Sequence, residues 1–207
     1  MAQFFTIHPK NPQARLIRRA ADIIQSSGLI AYPTDSAYAL SCHIGDKLAL
    51  DRIRGIRQLD KHHNFTLMCR DLSEMATYGK VNNQVFRWLK AHTPGPFTFI
   101  LKATSETPRR LKHPKRRTIG LRIPSSPIAL ALLAELNEPM MTTTLILPNH
   151  NMPLTDPYDI RDALEHQLEL VIDGGFCGTE PTTVVDFTED EPRIARQGCG
   201  KFQLDSY

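Results

Sequence analysis

The chain has 207 residues, 41% hydrophobic and 23% charged, a balance that fits one globular domain (1–207) with a sizeable core rather than two very small ones. It holds no apolar run of about eighteen residues, and Met1 to Thr6 carry no basic leader with an apolar stretch, so no membrane partner and a cytoplasmic placement are expected. Net charge is only +3, and Cys42, Cys69, Cys177 and Cys199 are scattered without paired spacing, which argues for free thiols over a disulfide framework or zinc knuckle.

Gln3 to Ile7 reads as a strand. Asn11 is placed to cap the next helix, with Pro12 in its first turn and Leu16, Ile17, Ala20, Ile23 and Ile24 at helical spacing before Gly28 ends it. Leu29 to Tyr32 is an apolar run long enough for a strand and too short for a helix, stopped by Pro33. Beyond it Thr34, Asp35, Ser36 and Tyr38 gather three hydroxyls and a carboxylate where an open α/β sheet binds ligands. The same residue types also favour an ordinary capped turn. A helix from about Asp46 to Arg57 follows, its apolar Ala49, Ile53 and Ile56 leaving Arg54 and Arg57 pointing elsewhere.

Phe65 to Cys69 reads as a short strand, and Asp71 to about Lys90 as two helical segments broken near Gly79. Pro94-Gly95-Pro96 turns the chain into a strand from Phe97 to Leu101. Ile119 to Pro124 is a further strand, and Ser126-Pro127 opens a buried helix through Leu136. Met140 to Leu147, with Thr142, Thr143 and Thr144 in its middle, reads as a buried strand opening onto a polar edge. Asp156-Pro157 caps a helix to about His166, Leu168 to Ile172 is a strand ending at Asp173-Gly174-Gly175, and Thr183 to Phe187 with Arg193 to Ala195 forms a final pair.

Between two of these strands Arg109, Arg110, Lys112, Lys115, Arg116 and Arg117 fall within nine residues, with His113 among them and no acid. Such a segment repels itself unless it is solvated or matched by an anion, so a phosphate-rich partner fits it; a plain solvated loop is the alternative.

Other chemistries lose support. His62 and His63, with His43 and Cys69 near in sequence, lack metal-ligand spacing, and neither a G-x-S-x-G elbow nor a Walker glycine loop occurs. What remains is hydroxyls and arginines at strand ends, a donor set suited to phosphate or carboxylate. In chain order, Tyr32-Pro33-Thr34-Asp35-Ser36-Ala37-Tyr38-Ala39-Leu40, Pro94-Gly95-Pro96-Phe97-Thr98-Phe99, Leu121-Arg122-Ile123-Pro124, Asp173-Gly174-Gly175, Thr182-Thr183-Val184-Val185-Asp186 and Arg196-Gln197-Gly198 resemble the YrdC-like domain of threonylcarbamoyl-adenylate synthases, in details its bacterial YciO branch. The motifs span residues 14–200 or so. The resemblance implies a mixed α/β fold: a single domain built on a twisted open mixed sheet flanked by helices, with a basic concave face. It further implies a cleft for ATP, threonine and bicarbonate that serves tRNA modification, and in some members binding of double-stranded RNA or tRNA.

Carried over motif by motif, the resemblance implies that Thr34 is the substrate-facing threonine, Arg122 the arginine of the strand ending in proline, Thr182 the position of the family's serine in the motif before Val-Val-Asp, and Arg196 the arginine that approaches phosphates. Tyr38, Arg57, Thr98, Thr142 and Thr144 complete the expected substrate- and nucleotide-binding set, and Arg54 joins the six cations of the basic run as an expected RNA contact. Two positions depart from the synthase pattern. Gly55-Ile56-Arg57 lacks the lysine of K-x-R, and Thr144-Leu145-Ile146 lacks the asparagine of S-x-N. Isoleucine replaces neither the donor nor the acceptor of an amide. Loss of a preorganised donor typically costs about a hundred- to a thousandfold in rate, so the expectation is RNA or nucleotide binding with adenylate synthesis weakened. A working nucleotidyltransferase that forms an acyl- or carbamoyl-adenylate is the alternative, and ATP with Mg²⁺ is implied only in that case. A structural or interaction protein is a third reading. No catalytic residue and no metal ligand is assigned.

Overall fold

The computed structural model describes residues 1–59, 63, 65–189 and 191–202; His62 lies outside them. In chain order the elements are β1 (Gln3–Thr6), α1 (Ala14–Gln25), β2 (Ile30–Tyr32), β3 (Ala39–His43), α2 (Lys47–Arg57), β4 (Thr66–Met68), α3 (Leu72–Tyr78), α4 (Asn83–His92) and β5 (Phe97–Lys102). A 3₁₀ turn at Arg109–Leu111 leads to β6 (Thr118–Arg122), α5 (Pro127–Leu136), β7 (Met140–Thr144), α6 (Pro157–Leu164), β8 (Leu170–Asp173), β9 (Thr183–Asp186) and β10 (Arg193–Arg196). The strands form one sheet in the order β1-β8-β2-β3-β7-β4-β6-β5-β9-β10, with parallel and antiparallel neighbours mixed.

Side-chain alternation divides this sheet into two differently covered faces. On one, Ile30, Tyr32, Met68, Met140, Leu170 and Ile172 pack under α1 and α5. On the other, Leu29, Ala31, Leu40, Leu67, Leu121 and Val171 pack with residues of α2, α3, α4 and α6. Helix α5 is apolar nearly all round; it packs beside α1 over the same sheet face, where Ile128, Ala129, Leu132 and Leu133 are fully enclosed. Its start is set by Pro127 at the first turn and by the Ser126 hydroxyl, which accepts from the Ala129 amide. Helix α2 starts at Asp46, whose carboxylate accepts from the Ala49 amide at 2.9 Å, and stops at Gln58 in the left-handed region. Between α3 and α4, Gly79 lies so close to the sheet that a Cβ there would come within 2.5 Å of Leu121.

Three sequence expectations change. Asn11 does not cap α1: its amide and that of Lys10 donate to the His8 ring, and the helix begins only after Gln13, with no side-chain cap. The polar turn after Tyr32 is followed by a strand, β3, whose Ser41 and Cys42 hid it; an interior strand covered on both faces need not alternate apolar and polar. Strand β7 stops at Thr144 rather than Leu147, because the chain turns there and the Leu145 amide donates back to the Tyr38 carbonyl.

Candidate anion-binding cleft and basic groove

The turn between β2 and β3 is built by Thr34. Its hydroxyl donates to the Ala37 carbonyl at 2.6 Å and accepts from the Ser36 and Ala37 amides, so the capped-turn reading of this residue holds in full. Asp35, one position on, forms an ion pair with Arg122, which ends β6, and accepts from both the amide and the hydroxyl of Ser125. The guanidinium is buried at 7% exposure, and its Nε has no acceptor among the described residues. Tyr38, expected in the substrate-binding set, reaches across to another turn. It donates to the Gly175 carbonyl at 2.8 Å and accepts from the Gly174 amide, fastening the Asp173-Gly174-Gly175 turn, and burial pushes its pKa up.

Near this pair lies a second polar set. The Thr98 and Thr182 hydroxyls are 2.9 Å apart, and Arg196 donates through Nη2 and Nε to the Thr182 carbonyl and through Nη2 to its hydroxyl at 3.2 Å. Burial raises the pKa of the neighbouring Cys199 thiol, which the Arg122 charge partly offsets. Burial is the main cause lowering the Arg196 pKa, yet arginine keeps its charge in proteins.

The threonines of β7 part company across the sheet. Thr142 turns to the α1 and α5 side, its hydroxyl 3.0 Å from that of buried Tyr32, and Thr144 shares that side by alternation. Thr143 turns to the α2 side and accepts from Arg57 Nη1 at 2.8 Å, while Arg57 Nε donates to the Ile146 carbonyl at 3.0 Å. Arg57 is thus separated by the sheet from Thr142 and Thr144, with which the sequence had grouped it. Burial lowers its pKa. Arg122 has a carboxylate partner; among the described residues, Arg57 and Arg196 hold only neutral acceptors, so both are half-buried cations suited to an anion.

A separate groove of about 910 Å³ opens between α2 and the segment from Ser105 to Arg117. Among the described residues Arg54, Arg109, Arg110, Lys112 and Arg117 line it, together with His63, His113 and one acid, Glu106. The Arg54 guanidinium lies 5.3 Å over the Phe65 ring, pairs with Asp51 at 3.1 Å, and leaves its Nε without an acceptor among the described residues. The basic run is not one surface, however. Arg116 lines a different hollow with Thr118, Lys102 and Arg193, where it stands 3.9 Å from the Asp186 carboxylate, so the run does meet an acid. Lys115 is exposed outside the groove lining. No sequence signal marked this split, because consecutive residues of an irregular turn project in unrelated directions.

The Sua5/YciO/YrdC family profile, described as telomere recombination, matches residues 22–198. The chain belongs to this family. It is 57% identical over 200 residues to the uncharacterised protein YciO of Escherichia coli, covering 97% of each chain, and 58% identical over 201 residues to an uncharacterised Haemophilus influenzae protein, again covering 97% of each. The crystal structure of E. coli YciO superposes with a TM-score of 0.93 over 97% of this chain and 98% of that one. A threonylcarbamoyl-AMP synthase of Halorhodospira halophila is 24% identical over 82% of this chain and 89% of its own. Sua5 of P. abyssi, solved with L-threonine, shares the fold at a TM-score of 0.87 and 24% identity, this chain spanning 95% of its own length and 58% of that one. The mixed sheet flanked by helices is therefore the family fold, and the departures at Gly55 and Ile146 stand within it.

Proposed function

We propose that this chain binds RNA, double-stranded or transfer RNA, with its basic groove on the phosphate backbone, and that the Thr98, Thr182 and Arg196 set takes a nucleotide. The observation that carries the reading is the convergence of five lysines and arginines from α2 and the 109–117 segment on one groove with a single acid among its described lining residues. Phosphate neutralisation releases counterions, so affinity falls with salt at a slope of about 0.9 per duplex phosphate contact. Charge reversal of Arg109 and Arg110 to Glu should weaken binding of an RNA duplex severely and flatten the salt slope by about two units, whereas Arg18→Glu on the outer side of α1 should change little. Unchanged affinity and slope in the groove variant would remove the groove from RNA binding.

A second reading, synthesis of an acyl- or carbamoyl-adenylate from ATP, is supported by the synthase relatives and by the two half-buried arginines that have no carboxylate partner among the described residues. Among the described residues no group of three or more His, Cys, Asp or Glu is placed to hold a metal, so magnesium in this reading would be carried chiefly by the ATP phosphates. Pyrophosphate release with threonine and bicarbonate, abolished by Arg196→Ala, would favour it. Silence in the natural sequence with a gain in a Gly55→Lys, Ile146→Asn variant would mean that the scaffold is intact and the parent chemistry lost.

A further inference from the structure

The segment that supplies most of the groove's charge is folded around an imidazole. His113 Nδ1 accepts from the backbone amides of Lys115 at 3.3 Å and Arg116 at 3.1 Å. The Arg117 amide closes the same turn on the His113 carbonyl at 2.9 Å, and the His113 amide donates to the Thr118 carbonyl at 2.8 Å. Arg117 is held at φ 54°, in the left-handed region that a long side chain adopts only when its surroundings impose it. Two amide donations to Nδ1 require a lone pair there, hence a neutral ring with its proton on Nε2.

We propose that His113 is the positioning residue of the basic groove: its neutral imidazole winds the 113–117 turn and aims Arg117 into the groove, and protonation undoes the turn. Protonation removes the acceptor of both amides and adds a like charge to a crowded site. Arg109, Arg110, Lys112 and Arg117 of its own segment line the same groove as the imidazole, with Glu106 the one acid among the described lining residues, and Arg54 of α2 and His63 line the opposite wall. Lys115 and Arg116 sit in the turn itself, and Asp186 reaches Arg116 from β9. No residue facing His113 needs to bind substrate for this device to work. The inference rests on the RNA-binding reading only for its consequence, since the turn can be observed without any ligand.

The test reads both levels in the full chain. Hydrogen exchange at the Lys115 and Arg116 amides, corrected for the intrinsic pH dependence, should accelerate about tenfold or more as the imidazole titrates, the scale expected from losing two modest hydrogen bonds. His113→Ala should exchange fast at every pH. His113→Asn, whose side-chain oxygen accepts from the same amides in an Asx turn, should restore slow exchange and abolish the pH step. At pH 8, His113→Ala should bind a random-sequence RNA duplex several-fold more weakly with its salt slope unchanged, because every lysine and arginine is still present, and His113→Asn should recover the affinity. Slow exchange at both amides in His113→Ala, or no step in the natural protein, overturns the proposal. If the step appears and no variant binds RNA, the positioning role stands at the level of the turn and the RNA-binding reading fails.

Discussion

Asp35 and Arg122 are a buried pair, one from the turn after β2 and the other from the end of β6, 87 residues apart in sequence. Removing one member of such a pair leaves an uncompensated buried charge, which typically costs about 3 to 5 kcal/mol, whereas replacing both by apolar groups of similar size is often near neutral. Asp35→Asn should therefore lower stability to urea by that order, and an Asp35→Leu, Arg122→Met double variant should recover most of it. A double variant as unstable as the single one would mean that Ser125, which also donates to Asp35, is the essential partner. The sequence marked these residues by type and order, and their partners are visible only in the structure. Types and motif order marked Thr34, Asp35 and Tyr38 as a polar focus; in the structure the Thr34 hydroxyl bonds its own turn, the Tyr38 hydroxyl bonds the distant Gly174-Gly175 backbone, and the Asp35 carboxylate pairs with Arg122. Nothing in local sequence distinguishes a hydroxyl facing a ligand from one facing a carbonyl.

Elements with a strong period or a chemical stop were legible. The starts of α2 and α5 follow from Asp46 and Ser126-Pro127, and the end of β2 from Pro33. Strand β3 was not legible, since its identity depends on neighbours from β2 and β7 rather than on its own pattern. The end of β7 was equally a tertiary matter. Helix α2 also carries the departure from the synthase pattern, and there the structure gives a definite expectation. Gly55 is exposed within the helix, and a Cβ built on it meets nothing within 4 Å. Glycine inside a helix costs roughly 0.5 to 1 kcal/mol relative to a good helix former, and a cation in the last turn is favoured by the helix dipole. Gly55→Lys should accordingly raise the urea midpoint by an amount equivalent to about 0.5 to 1 kcal/mol, partly offset by repulsion from Arg54 and Arg57. A destabilised variant would mean that the charge of this helix end, rather than space, keeps lysine out.

At the scale of the molecule, one sheet separates two polar regions that the sequence could list but not sort. Arg122, Thr142 and Tyr32 lie on the face covered in part by α1 and α5, and Arg57, Thr143 and the inner wall of the basic groove lie on the face of α2. Both faces depend on buried groups that must stay protonated. Burial raises Tyr32 to about 12 on the first face, and raises Cys42 to about 12 on the second and Cys177 to about 11 beside the Thr34 turn. In the unfolded chain a thiol ionises near pH 8.5 and a phenol near pH 10. A folded-state pKa above the unfolded one contributes stability that is complete below the unfolded value and is lost as pH rises towards the folded value. Each group that ionises only on unfolding then removes about 1.4 kcal/mol per pH unit. As far as these groups are concerned, stability to urea should be flat from neutral pH to about pH 8.5 and fall steeply between pH 9 and 11, with the groups of both faces failing together because they share the strands between them. The measurement is the urea midpoint against pH, with thiol alkylation and tyrosinate absorbance followed in parallel. A cooperative rise of both signals with loss of structure is expected, and ionisation of Cys42 in a chain that keeps its folded spectrum would contradict it.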